Sequence, residues 1–107
     1  MSKATYWQRG ESLDYYNDGT DVIEANTIIE LGSHIGVAGA DILPEDTGSV
    51  HMTGVYAIPK SDTDAIEFGT PVYYDGSGIS ATGTDIIGYA AEDSEADADV
   101  ILVKLQG

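Results

Sequence analysis

The chain has 107 residues, and its 4 basic against 19 acidic side chains give a formal net charge of −15. One domain is the expected count, with a folded surface of roughly 5,700 Å² by area scaling and room for one modest core. A charge of this sign repels phosphate backbones and acidic lipid head groups, so nucleic acid and membrane surfaces are excluded as partners, and the absence of cysteine removes disulfides, thiolate nucleophiles and soft metal ligands.

In chain order, the opening Met1-Ser2-Lys3-Ala4-Thr5-Tyr6-Trp7 lacks the apolar stretch of a secretory signal, and no later run approaches the ~18 apolar residues of a membrane span. The expectation is a soluble protein made in the cytoplasm. Short β-branched and aromatic runs between Gly, Asp, Asn and Pro predict strands at Thr5 to Gln8, Asp21 to Ile23, Thr27 to Leu31, His34 to Ala38 and Ser49 to Ile58. Further strands are predicted at Pro71 to Tyr74, Ile79 to Thr82, Ile86 to Ala91 and Asp99 to Leu105. Turns are legible at Asn17-Asp18-Gly19, Leu43 to Gly48 and Asp75-Gly76-Ser77-Gly78, the last placed as a hairpin because glycine accepts the positive φ of a tight reversal. Ser61 to Glu67 could form one helical turn capped by Ser61 or Asp62. The final run Val100-Ile101-Leu102-Val103-Lys104-Leu105 is nearly continuous in apolar residues, which suits a strand covered on both faces or an edge buried by another chain. The pattern predicts an all-β single domain over 1–107, a small barrel or sandwich. Neither a linker nor an internal repeat is visible.

Four constellations bear on chemistry. Asp46-Thr47-Gly48, with Ile86-Ile87-Gly88 further on, has the look of half of a dimeric aspartic-protease site. The preceding Leu43-Pro44-Glu45 describes an exposed turn instead, and no basic residue follows Gly88 as that pattern requires. Asp93, Glu95, Asp97 and Asp99 alternate like the start of a calcium loop, yet Ala98 stands where the loop needs glycine and Lys104 where it needs a bidentate glutamate. Loose cation binding to the 92–99 stretch stays open beside a solvated acidic loop. His34 and His51 lack metal-ligand spacing, and no serine sits in a nucleophile elbow or phosphate cradle, so no catalytic, cofactor or metal residue is assigned. Seven tyrosines and one tryptophan against one phenylalanine are left. The adjacent pairs Tyr6-Trp7, Tyr15-Tyr16 and Tyr73-Tyr74 place one ring inward and one outward on a strand, and such rings are enriched at buried interface centres. Tyr6, Trp7, Tyr15 and Tyr73 are the interface candidates. The alternative is a free-standing module stacking these rings on a sugar or peptide.

Read end to end, the chain resembles the bacteriophage capsid cement, or head-decoration, family of small all-β proteins. The resemblance is carried by Gln8-Arg9-Gly10-Glu11-Ser12-Leu13-Asp14-Tyr15, Leu31-Gly32-Ser33-His34-Ile35-Gly36-Val37-Ala38 and Gly54-Val55-Tyr56-Ala57-Ile58-Pro59-Lys60. It continues through Ile66 to Asp75, Ile87-Gly88-Tyr89-Ala90 and Val103-Lys104-Leu105-Gln106-Gly107. Glu24-Ala25-Asn26 departs from it by standing where a glycine turn is typical. The resemblance implies a non-enzymatic homotrimer without cofactors that joins the outside of an assembled head and contacts the major capsid protein. A trimer of such acidic subunits needs apolar or salt-screened contacts, with its carboxylates facing solvent.

Overall fold

The computed structural model describes residues 2–6, 8 and 10–106. Among them there is no helix, and nine strands form two antiparallel sheets. The first holds β1 (Ser12–Tyr16), β2 (Ile28–Leu31), β3 (His34–Ala38) and β4 (Thr47–His51), in the order β1-β4-β3-β2. The second holds β5 (Thr53–Pro59), β6 (Pro71–Tyr74), β7 (Ile79–Ser80), β8 (Ile86–Ala90) and β9 (Val100–Gln106), in the order β5-β9-β8-β6-β7. The all-β expectation holds as two sheets and not as a closed barrel.

Four local expectations need correction. Asp21 to Ile23 is not a strand: Ile23 makes only an isolated bridge to Ile42. Ser61 to Glu67 is not a helical turn: the Asp62 carboxylate accepts the Asp64 N–H at 2.9 Å, a side-chain turn that competes with helix, and Ile66 leaves the segment in an isolated bridge to Ser94. Thr5, Tyr6 and Gln8 lie in no strand, with no pairing to them among the described residues, and Ser12–Tyr16 forms β1 instead. The run from Ser49 to Ile58 is two strands in different sheets, broken at Met52, whose N–H bonds the Glu11 carbonyl at 2.8 Å.

The sheets are also two copies of one unit. β1, β2, β3 and β4 occupy the same places in the first order as β5, β6, β8 and β9 in the second, with β7 added at the far edge. Registers agree pair by pair: Tyr15↔Gly48 matches Ile58↔Ile101, Ala38↔Val50 matches Ala90↔Val103, and Ile29↔Gly36 matches Val72↔Gly88. The loops agree too. Ile23 bridges Ile42 as Ile66 bridges Ser94, and the carboxylates of Asp41 and Asp93 each accept a backbone N–H at 2.8 Å, from Ala25 and Phe68. The turn into β2 passes through Asn26 at φ 70, and the turn into β6 through Gly69 at φ 86. Asparagine tolerates the left-handed region better than most residues, so Asn26 does the work of the missing glycine in Glu24-Ala25-Asn26. A duplication was not visible in the sequence. Its surviving identities include Thr-Asp-x-Ile-Glu-x-x-Thr from Thr20 and from Thr63, Ile-Gly-x-Ala from Ile35 and from Ile87, and the pairs Asp41 with Asp93 and Val50 with Val103.

The hydrophobic core is uneven. Ile58, Ile66, Val72, Val103 and Leu105 form the larger cluster, which also takes in Ile35, Val37 and the half-buried Ile28 from the first sheet. Ile29, Ala38, Val50 and Met52, counterparts of Val72, Ala90, Val103 and Leu105, form a smaller one. The molecule is flattened, 43 × 40 × 20 Å, with a radius of gyration of 15.2 Å where about 13 Å is usual for this length. Its solvent-accessible surface, 7000 Å², exceeds the roughly 5,700 Å² of a compact chain of its mass.

Candidate interaction surface

Side chains on β5, β9, β8 and β6 alternate across the second sheet, because successive Cβ atoms of a strand point to opposite faces. Ile58, Ile101, Val103, Ala90 and Val72 line the core face. The opposite face is read from the register: Val55, Lys104, Tyr89 and Pro71 form one cross-strand row, Ala57 and Leu102 a second, Pro59 and Val100 a third. Every one of these is exposed or half-buried, Val55 at 55% and Val100 at 53%. Lys104 brings the face its single charge, and its Nζ lies 5.8 Å from the centre of the Tyr89 ring, within cation–π range.

No carboxylate stands in any strand of this sheet. Asp14 in β1 and Glu30 in β2 are the acids within strands, and both belong to the first sheet, while the other acids lie outside the strands. In a chain of charge −15 this is a segregation. An apolar sheet face free of acids differs from the general surface in the sense that interface centres do, which are depleted of charge.

The aromatic candidates do not converge. Trp7 lies outside the described residues. Tyr6 is 80% exposed and in no strand. Tyr15 of β1 is the inward member of its pair, packed against the smaller core, and Tyr16 is the outward one at 53%. Tyr73 is half-buried on β6, with its Cβ close against Gly83. Tyr15 and Tyr73 therefore belong to different sheets. One ring in and one out holds for Tyr15 and Tyr16, whereas Tyr73 and Tyr74 are both half-buried, and the spacing did not point to Val55, Tyr89, Val100 or Leu102. The signal for them was present in the unbroken apolar run of β9, which is a central strand whose outer face this chain leaves uncovered.

The chemical constellations resolve into local structure. Asp46 is exposed in a turn, with its N–H on the Leu43 carbonyl and its own carbonyl accepting the Asn17 N–H, while Thr47 and Gly48 begin β4. Asp93 holds the Phe68 N–H, and the Glu95 backbone carbonyl accepts Lys60 Nζ at 2.7 Å. His51 Nδ1 shares a hydrogen bond of 3.0 Å with the Ser12 hydroxyl, and His34 is exposed. The Asp75 carboxylate organises the β6–β7 hairpin, accepting bonds from the Ser61 hydroxyl and from Ser77 and Gly78, which hold its pKa well below the usual carboxylate range. Asp62 is lowered in the same direction by the Asp64 and Ala81 N–H groups, and burial, with Glu30 and Asp75 nearby, raises Tyr74. A groove of about 260 Å³ between the units is lined by Asn26, Ile28, Val37 and the segment Tyr56 to Pro59. That is below the usual range for small-molecule sites, and Asn26 is its one polar side chain outside the tyrosine.

A family model described as phage cement protein matches residues 7–105, nearly the whole chain. No curated protein and no solved structure matches the chain.

Proposed function

The chain belongs to the phage cement protein family, and from that premise we propose that it binds the outer surface of an assembled phage capsid as a homotrimer and stabilises it without catalysing a reaction. The family gives the chain a structural role at the capsid. The observation that supports the finer reading is the acid-free apolar face on a molecule otherwise coated in carboxylates: it is a surface suited to being covered, and the rest is suited to solvent.

The physics follows from multivalency. A trimer touching several capsid subunits forms its later contacts at high effective concentration, so it binds a finished lattice far better than free subunits. A ligand that binds the assembled state alone stabilises it by about 2.7 kcal/mol per site at a hundredfold excess over Kd. The major capsid protein is the partner this reading requires, the virion exterior its location, and the host cytoplasm its place of synthesis.

Co-sedimentation with empty expanded heads and with unassembled capsid protein tests the proposal. Saturable binding to heads with none to free capsid protein is the expected result. Equal binding to both, or to neither, refutes it.

A further inference from the structure

We propose that the outer face of the second sheet is where two copies of this chain meet, head to tail, with the second unit of one copy seated on the first unit of the next. The inference rests on the trimeric reading above and goes beyond it by naming the contact.

Charge selects the occupant. Each copy carries −15, so two copies meet at least cost through surface without carboxylates, and this face supplies it. A face evolved for a basic partner would keep acids to complement it; this one excludes them and has Lys104 as its single charge.

The duplication says how the copies are arranged. In the first unit the row Ile28, Val37, His51 and Ser12 is the counterpart of Pro71, Tyr89, Lys104 and Val55. There Ile28 and Val37 are already covered: they lie beside Tyr56 and Ile58 and join the second unit's core. Pro71 and Tyr89 have no third unit in the chain to cover them. The next copy can supply one, because its first unit presents Leu13, Tyr15 and Leu31, the counterparts of Tyr56, Ile58 and Tyr74. Leu13 is 39% exposed, and Tyr15 is half-buried where Ile58 is 2% exposed, so the receiving side is partly open as well. The contact between copies thus repeats the junction within each copy.

Such a contact joins two different patches and is heterologous, the kind that closes into a ring when the rotation allows, as a cyclic trimer requires.

Light scattering on the full chain and its variants is the test, with far-UV circular dichroism to confirm folding. Wild type is expected at three times 11.3 kDa, about 34 kDa. Tyr89→Asp, Pro71→Asp and Leu13→Asp should each fall to about 11 kDa with the wild-type spectrum, whereas Tyr89→Phe and Val22→Asp, which leave the two patches free of added charge, should stay at about 34 kDa. Tyr89 and Pro71 lie on separate strands, so an unfolded variant at one leaves the other to decide. Retention of the trimer by the Tyr89 and Pro71 variants overturns the inference while leaving the trimeric reading standing. So does retention accompanied by lost binding to heads, which would assign the face to the capsid. Retention by Leu13→Asp alone overturns the head-to-tail pairing. A wild-type mass of 11 kDa refutes the trimeric reading itself, and this inference with it.

Discussion

Gly88 and Gly36 hold the same place in the two units, and alanine is expected to cost very different amounts there. A Cβ built on Gly88 runs into the Lys104 carbonyl oxygen and falls 2.9 Å from its carbon and 3.2 Å from the Leu105 Cα. All three are backbone atoms of β9, so the conflict is relieved only by opening the β8–β9 ladder at Gly88↔Leu105 and Tyr89↔Lys104. A carbon and a carbonyl oxygen settle no closer than about 3.3 Å, so the strands must part by roughly 1 Å. Overpacking of this kind costs about 1–3 kcal/mol, and a weakened ladder bond or two adds about 1 kcal/mol each. The reduced entropy of the unfolded chain returns about 0.4–1 kcal/mol, leaving a loss of about 3 kcal/mol for Gly88→Ala. At Gly36 the nearest atom is Met52 Sδ at 3.0 Å, then Val50 Cβ at 3.3 Å. A thioether on rotatable bonds can yield, so Gly36→Ala should stay within about 1 kcal/mol of wild type. Urea unfolding at one fixed protein concentration reads the gap, as a midpoint lower by about 2 M for Gly88→Ala if the slope is about 1.2 kcal/mol/M. Two variants within about 0.5 kcal/mol of each other would refute the reasoning.

Asp75→Ala removes the acceptor of four hydrogen bonds at an exposed hairpin and should cost about 1–2 kcal/mol in the same assay. Because the folded-state pKa of Asp75 is depressed, its contribution is present above the unfolded value near 3.9 and is lost as pH falls through the folded one. The difference between wild type and Asp75→Ala should therefore hold from pH 7 to about 4 and shrink below that; a constant difference down to pH 2 contradicts it. Ser94 replaces Ile42 at the matching bridge, and its buried hydroxyl makes no hydrogen bond, so Ser94→Ala should be neutral or up to about 1 kcal/mol stabilising by thermal melt, and a loss above 1 kcal/mol counts against that account. Trimer stability should rise between 0.05 and 0.5 M salt, which are round test values spanning screening lengths of roughly 14 to 4 Å. Dissociation on adding salt, followed by sedimentation, would contradict apolar contacts between acidic subunits.

The sequence was most legible where a local rule acts alone. His34–Ala38 and Pro71–Tyr74 read correctly to the residue, since β-branched and aromatic runs end at glycine or aspartate. The Asp75 to Gly78 hairpin read correctly because its carboxylate and its glycine at φ 95 are turn chemistry held within four residues. Ser12–Tyr16 was passed over because Asp14 and the turn at Asn17 dilute its signal, and its strand character comes from pairing with β4, far along the chain. The duplication escaped for a related reason: the units share registers and backbone bonds, while side chains filling equivalent places, Tyr15 and Ile58 or Ile42 and Ser94, share little. The interaction face was hidden because alternation tells inside from outside only when the outside is polar, and here it is not.

Met52 is the lone residue between β4 and β5, and its N–H is tied to Glu11. A join that short has no slack. Tension applied to one half of the molecule passes straight down a covalent thread into the other, and both ends of that thread are laced sideways to neighbours, β4 to β1 and β3, β5 to β9. Pulling along such strands loads many cross-links at once and shears them together, where peeling from an end would unzip them singly. A molecule wired in this way is stiffer to stretching along its strands than to peeling across them.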